Sequence, residues 1–253
     1  MLNKSVEREA LAQFLASELQ ITRFRDYCPN GLQVEGRNTI KHLVTGVTAC
    51  QALLDKAVEL SADAILVHHG YFWRGEDMRI VTQKQKRLKT LLGNDISLFA
   101  YHLPLDHHPE VGNNAQLAKL LNLEVCGRFG EDELGWLGKS VQLKTVGQLA
   151  RLIEEKLERT PILIGDQNQL LTDIAWCSGA AQNMLGAAIE AGASVYLSGE
   201  ISEPTVHLAR ESGVPYLACG HHATERYGVQ ALGRMAAEKF GILHTFVDVD
   251  NPV

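Results

Sequence analysis

The chain has 253 residues, 45% of them hydrophobic and 21% charged, enough to bury a core in one large domain or two lobes without covalent staples. No Pro/Gly-rich or biased tract marks a disordered linker, and a formal net charge of -6 argues against a protein that coats nucleic acid. The cysteines Cys28, Cys50, Cys126, Cys177 and Cys219 are odd in number and scattered, with no Cys-x-x-Cys pair, so reduced thiols are expected in place of a disulfide framework or a thiolate zinc site.

Met1 to Glu9 carries charge where a signal peptide needs an apolar region, and the longest uncharged stretch, Ile174 to Ile189, is too short and too polar to span a bilayer. A cytoplasmic protein without membrane attachment is expected. Over Val6 to Leu19 the residues Ala10, Leu11, Phe14, Leu15 and Leu19 share one helical face, the pattern of an amphipathic helix. Asp26 to Val34 contains Pro29 and the Asn30-Gly31 pair, turn chemistry that predicts a loop leading into a short strand. Lys41 to Val47 reads as a strand, Ala49 to Leu60 as a helix and Ala64 to Val67 as a buried strand, together a parallel βαβ unit. That last strand ends on His68-His69-Gly70.

Helices are predicted over Gln83 to Leu92 and Asn114 to Leu121, the second capped by Asn113 or Asn114. The basic residues Lys84, Lys86, Arg87 and Lys89 read as a solvated helix face. Between them, Ser97 to Ala100 is a strand leading into His102, with Asp106 expected on a loop because Pro104 disfavours a helix running through it. Further on, a strand is expected near Ser140 to Leu143, a helix over Val146 to Leu157 with Thr145 as its N-cap, and a strand over Pro161 to Ile164.

Sliding the sequence by 131 positions without a gap sets Ala49, Gln51, Leu54, Ala57, Glu59 and Ala62 on Ala180, Gln182, Leu185, Ala188, Glu190 and Ala193. His68-His69 then falls on Gly199-Glu200. After each unit a further strand ends in a matched pair, His102-x3-Asp106 and His221-x3-Glu225. A duplicated α/β lobe accounts for all of this, with residues 1–125 as the first lobe and 126–253 as the second, both contributing to one site.

Imidazoles and carboxylates at strand ends are the donor mixture that holds Zn, Mn, Fe, Co or Ni, with the ion itself not distinguished. His68, His69, Asp106, His221 and Glu225 form the candidate ligand set, and His102 stands open as a ligand or as support behind one. Adjacent residues of a strand point to opposite faces, so His68 and His69 fit two ions better than one. Two ions about 3.5–4 Å apart, with a bridging water or hydroxide as nucleophile, would attack a carbonyl, imine or phosphoryl group. His42, His207 and His244 are expected to be hydrogen-bonded structural residues, while His107, His108 and His222 each adjoin a better candidate. Gly31-x4-Gly36 is followed by Arg37-Asn38, so it is no phosphate loop, and no Gly-x-Gly-x-x-Gly or Gly-x-Ser-x-Gly occurs.

Asn30-Gly31-Leu32-Gln33-Val34, Val67-His68-His69-Gly70, His102-Leu103-Pro104-Leu105-Asp106, Gly112-Asn113-Asn114, Ser198-Gly199-Glu200 and Gly220-His221-His222-Ala223-Thr224-Glu225 together resemble the GTP cyclohydrolase I type 2/NIF-three family, closely its bacterial YbgI-type members. The resemblance implies a two-lobed α/β subunit, a dinuclear metal site on His68, His69, Asp106, His221 and Glu225 with Glu225 bridging, and a toroidal homohexamer. It also implies the ring-opening label of GTP cyclohydrolase, although the dimetal site supports hydrolysis of a nucleotide or related small molecule more firmly than any one substrate. On that reading His102 or Glu200 orients substrate or moves protons. The alternatives are a non-catalytic metal-containing regulatory or scaffold hexamer and, disfavoured by the net negative charge, a DNA-associated factor.

Overall fold

The computed structural model describes residues 4–253. In chain order its elements are β1 (Val6–Glu7), α1 (Arg8–Glu18), β2 (Gly31–Val34), β3 (Thr39–Ile40), β4 (His42–Thr48), α2 (Gln51–Glu59), β5 (Ala64–His69), α3 (Thr82–Gly93), β6 (Ser97–Ala100) and α4 (Leu103–His107). There follow α5 (Asn113–Leu120), β7 (Glu124–Phe129), β8 (Gly135–Lys139), α6 (Val146–Leu157), β9 (Ile162–Ile164), β10 (Ile174–Trp176), α7 (Leu185–Glu190), β11 (Val195–Ser198), α8 (Glu203–Ser212), β12 (Tyr216–Ala218), α9 (His221–Phe240) and β13 (Leu243–Phe246). Two compact units divide the chain, one holding residues up to Gly112 plus Gly228–Asp250, the other Asn113–Tyr227 plus Asn251–Val253. The division does not fall at residue 125, because Ala115, Leu117, Ala118, Leu121 and Leu123 pack in one core with Trp136, Ile153 and Trp176.

The first unit holds a five-stranded sheet ordered β13-β4-β5-β6-β2. Its first four strands are parallel and β2 closes the edge antiparallel to β6. The unbroken apolar run of β5 follows from burial on both faces. Ala64 and Leu66 pack with Leu11 and Leu15 of α1 and with Val229 and Leu232 of α9. Ile65 and Val67 pack with Leu53, Leu54 and Ala57 of α2 and with Leu88 and Leu91 of α3. The same alternation carries His68 onto the Leu66 face and His69 onto the Val67 face, at the C-terminal edge of the sheet.

The second unit holds a six-stranded sheet ordered β7-β8-β10-β11-β12-β9. Its central strands β10, β11 and β12 are parallel, and β8 and β9 flank them antiparallel. Ile174, Trp176, Val195, Leu197 and Leu217 face α5 and α6, whereas Ala175, Tyr196, Tyr216 and Ala218 face α7 and α8. Helix α6 begins at a capping box between Thr145 and Gln148 and buries Val146, Leu149, Ile153 and Leu157 at helical spacing. The ungapped repeat has a structural counterpart: β4-α2-β5-α3-β6 recurs as β10-α7-β11-α8-β12, with Ala64 and Val195 each opening its middle strand.

Three local expectations differ from the structure. The strand expected near Ser140–Leu143 lies earlier, at β8, since Ser140 Oγ accepts from the backbone N–H of Gln142 and Leu143 and turns the chain there. Asn114 is the second residue of α5 and no cap; its side chain accepts from Ser178 N–H. Asp106 is on a helix, not a loop. Pro104 occupies the second position of α4, where a missing N–H costs no helical hydrogen bond. All five cysteines are free, and among the described residues no helix is long and apolar enough to cross a membrane.

Candidate metal centre

In the first unit, β5 delivers His68 and His69 side by side with ring centroids 4.6 Å apart. His102 follows β6, and its ring lies 5.0 Å from that of His68 and 5.8 Å from that of His69. Donor atoms of these three imidazoles lie within 4.8 Å of one another. Asp106 joins them from α4, its Oδ2 3.5 Å from His68 Nε2.

Each ring is held through Nδ1. His68 Nδ1 meets the Tyr101 carbonyl at 2.9 Å, His69 Nδ1 the Thr48 hydroxyl at 3.1 Å and His102 Nδ1 the Asp26 carboxylate at 2.7 Å. A carbonyl only accepts, so His68 Nδ1 carries a hydrogen and Nε2 becomes the donor nitrogen. Asp26, which the sequence pattern did not single out, is the residue behind the His102 ring. It accepts from Tyr27 N–H, Asn30 Nδ2 and Leu103 N–H as well as from His102. Burial pushes its carboxyl up, but the His102 hydrogen bond and charge, with Asn30 and Tyr27, outweigh that and hold it below the usual range. The only signal was its place beside the Pro29-Asn30-Gly31 turn, which reads equally well as loop chemistry. Nearby Cys28 is no nucleophile, since burial and the Asp26 charge push its thiol up to about 12.

In the second unit His221 is the first residue of α9 and Glu225 stands one turn along, so both project from one face. His221 Nε2 is 3.2 Å from Glu225 Oε2, and His221 Nδ1 is 2.7 Å from Glu200 Oε1. Burial lowers the His221 pKa, but Glu225 and then Glu200 overcome this and raise it to about 9. Gly179, at φ +67°, lies against the Glu225 carboxylate, and its N–H donates to Thr224 Oγ1. A Cβ at Gly199 would come within 2.7 Å of His221 Cα. These glycines let two loops close onto the first turn of α9.

The donor chemistry fits divalent ions. Two donors each about 2.0–2.2 Å from one ion, at tetrahedral to octahedral angles, are about 2.8–3.6 Å apart. The His68–Asp106 and His221–Glu225 pairs meet that spacing at 3.5 and 3.2 Å. A proton holds the His221–Glu225 pair together, as the raised His221 pKa records, and a divalent ion would take that proton's place between Nε2 and the carboxylate.

The remaining histidines have other duties. His42 Nε2 meets Thr245 Oγ1 and His244 Nε2 meets Thr45 Oγ1, both at 2.9 Å, a reciprocal pair joining β4 to β13. His207 is exposed, one turn from Glu203 on α8. His107 packs against Phe24, and His108 Nδ1 accepts from Glu110 and Val111 N–H. The backbone N–H of His222 donates to Val253.

The profile of the Duf34/NIF3 (NGG1p interacting factor 3) family matches residues 6–252. The chain belongs to that family. A Pseudomonas aeruginosa relative called "GTP cyclohydrolase 1 type 2 homolog" is 55% identical over 92% of this chain and 94% of its own length. A relative of the same name from Escherichia coli (strain K12) is 48% identical over 96% and 98%. Among solved structures, "protein ybgI, unknown function" superposes with a TM-score of 0.93 at 46% identity, covering 98% of this chain and all of that one. The α/β architecture is therefore that of the Duf34/NIF3 family, and the His, Asp and Glu clusters lie within the region its profile matches.

Proposed function

We propose that this protein is a cytoplasmic metal-dependent hydrolase of a nucleotide or related small molecule, holding two divalent ions through His68, His69, Asp106, His221 and Glu225. The observation that carries the proposal is the pairing in each unit of an Nδ1-anchored imidazole with a carboxylate at ligand spacing, His68 with Asp106 and His221 with Glu225. Bound divalent ions acidify water and polarise a carbonyl or phosphoryl oxygen.

The chain's own residues supply what surrounds that chemistry. Tyr101, Thr48 and Glu200 hold the His68, His69 and His221 rings in their orientations. His102, bonded through Nδ1 to Asp26, accepts a proton at Nε2 while the carboxylate stabilises the imidazolium that results. Self-association as a homohexamer, carried over from the family resemblance, belongs to the same proposal.

The test is metal stoichiometry on protein purified without added metal, with a hydrolysis screen of GTP and simple phosphoesters before and after chelation. About two ions per chain and a chelator-sensitive turnover are expected. His69→Ala and Glu225→Ala should abolish turnover with the assembly size unchanged by light scattering. Two ions without turnover, or collapse of the assembly in these variants, would point to ions of structural purpose.

A further inference from the structure

Beyond His69 the first unit opens a cavity of about 340 Å³. Gly70, Trp73, Thr82, Gln83, Lys84 and Arg87 are among the residues lining it. Trp73 connects it with the imidazoles, its ring 5.0 Å from that of His102 and 6.0 Å from that of His69. Its indole N–H donates to the Gly70 carbonyl at 3.2 Å, which holds the ring in this place.

The charges around the cavity do not cancel. Arg79 is paired with Asp77, and Lys84 with Glu76. Arg87 has no ion pair or hydrogen-bond partner among the described residues, and its Nε–H is buried. A guanidinium stays charged at any physiological pH, and its terminal N–H groups form a planar fork suited to an oxyanion. Helix α3 also starts at this wall, with Val81 at its N-cap and no side chain capping it. First-turn N–H groups carry the positive end of the helix dipole. Of the basic cluster seen in the sequence, Lys86 and Lys89 are solvated as expected, while Lys84 and Arg87 line the cavity.

Resting on the hydrolase reading above, we infer that this cavity is the subsite for the phosphate tail of a nucleotide substrate, bound by Arg87 and the start of α3. A tetrahedral oxyanion offers several acceptors at once, which suits a planar guanidinium and a cluster of backbone N–H groups. Trp73 supplies an apolar wall between the tail and the imidazoles, so that the reacting group of the same molecule is the part presented to His69 and His102.

Calorimetric titration of pyrophosphate into the full chain, as purified and after chelation, tests this without depending on turnover. The chelated wild-type chain should bind pyrophosphate in a salt-dependent manner, and Arg87→Ala should bind it about tenfold or more weakly. Lys86→Ala, on the solvated face, should bind as wild type does, and metal content should be equal in all three proteins. No binding to the chelated chain, or equal binding by Arg87→Ala and wild type, would overturn the subsite. Intact pyrophosphate binding without hydrolysis of any nucleotide would instead retire the hydrolase reading and leave an anion site.

Discussion

Gly179→Ala changes none of the candidate ligands, yet should disable the His221–Glu225 pair as a metal-binding group. A methyl group there would fall inside van der Waals contact of Glu225 Oε1, 3.2 Å from Glu225 Cδ and 3.3 Å from His221 Nε2. Restoring an ordinary carbon–oxygen contact requires the carboxylate to retreat by about 1 Å, whereas ligand distances tolerate about 0.2 Å. The backbone adds a separate cost, since φ at Gly179 is +67° and a Cβ there costs roughly 1–2 kcal/mol. Gly192→Ala separates the two effects: Gly192 has φ +86° but nothing within 4 Å of the added methyl. Both variants should lose thermal stability by a comparable strain. Only Gly179→Ala should lose metal affinity, by about tenfold to a hundredfold, the scale seen when a ligand's support is removed. Calorimetric titration with Mn or Zn, beside metal analysis and circular dichroism, reads this out. Wild-type metal affinity in a folded Gly179→Ala protein would refute the assignment of Glu225 as a ligand held in place by that loop.

Three other changes give separate readings. Asp26→Asn keeps the shape but removes the charge behind His102, so turnover or metal affinity should fall about tenfold to a hundredfold with little change in melting temperature; unchanged values would make Asp26 a loop anchor only. Burial, with Arg234 and His42 adding to it, lowers the His244 pKa from 6.5 to about 4. Its unfolded state binds more protons between those values, so this contribution is complete above about pH 6.5 and is lost as pH falls toward 4. Discounted for the ring's partial exposure, it amounts to about 1–2 kcal/mol. Urea unfolding at pH 7.5 and 4.5 should show a correspondingly smaller acid loss in His244→Asn, and an unchanged loss would remove His244 from the account. Glu158 ends α6 exposed at φ 55°, so Glu158→Gly should relieve left-handed strain and an unfavourable charge at the helix C-terminus. Together these should stabilise by about 1 kcal/mol, raising the melting temperature by a few degrees; a lower melting temperature would contradict the strain assignment.

Patterns with a local cause were legible in the sequence. Parallel strands buried on both faces must be apolar throughout, so β5 declared itself in Ala64 to Val67, and Thr145 marked the start of α6. The repeat of α2 and β5 in α7 and β11 was visible because a duplicated fold must bury the same faces at the same spacing. The cluster of His68, His69 and His102 followed from strand ends alone, since parallel neighbours in one sheet bring their C-terminal edges together.

Only the tertiary structure could decide the partners that arrive from distant segments. Asp26 lies 76 residues from His102, and nothing in a Pro29-Asn30-Gly31 turn states which ring its neighbour will anchor. Glu200 carried no local mark of support for His221, and the role of Gly179 exists only because α9 packs Glu225 against it. The basic face of α3 has the same lesson in charge. Composition shows four cations, but pairing across the fold leaves Lys84 neutralised by Glu76 and Arg87 uncompensated at a cavity. Periodicity is a property of neighbours in the chain, so sequence determines it. Protonation, ligand posture and uncompensated charge are properties of neighbours in space, and folding alone determines those.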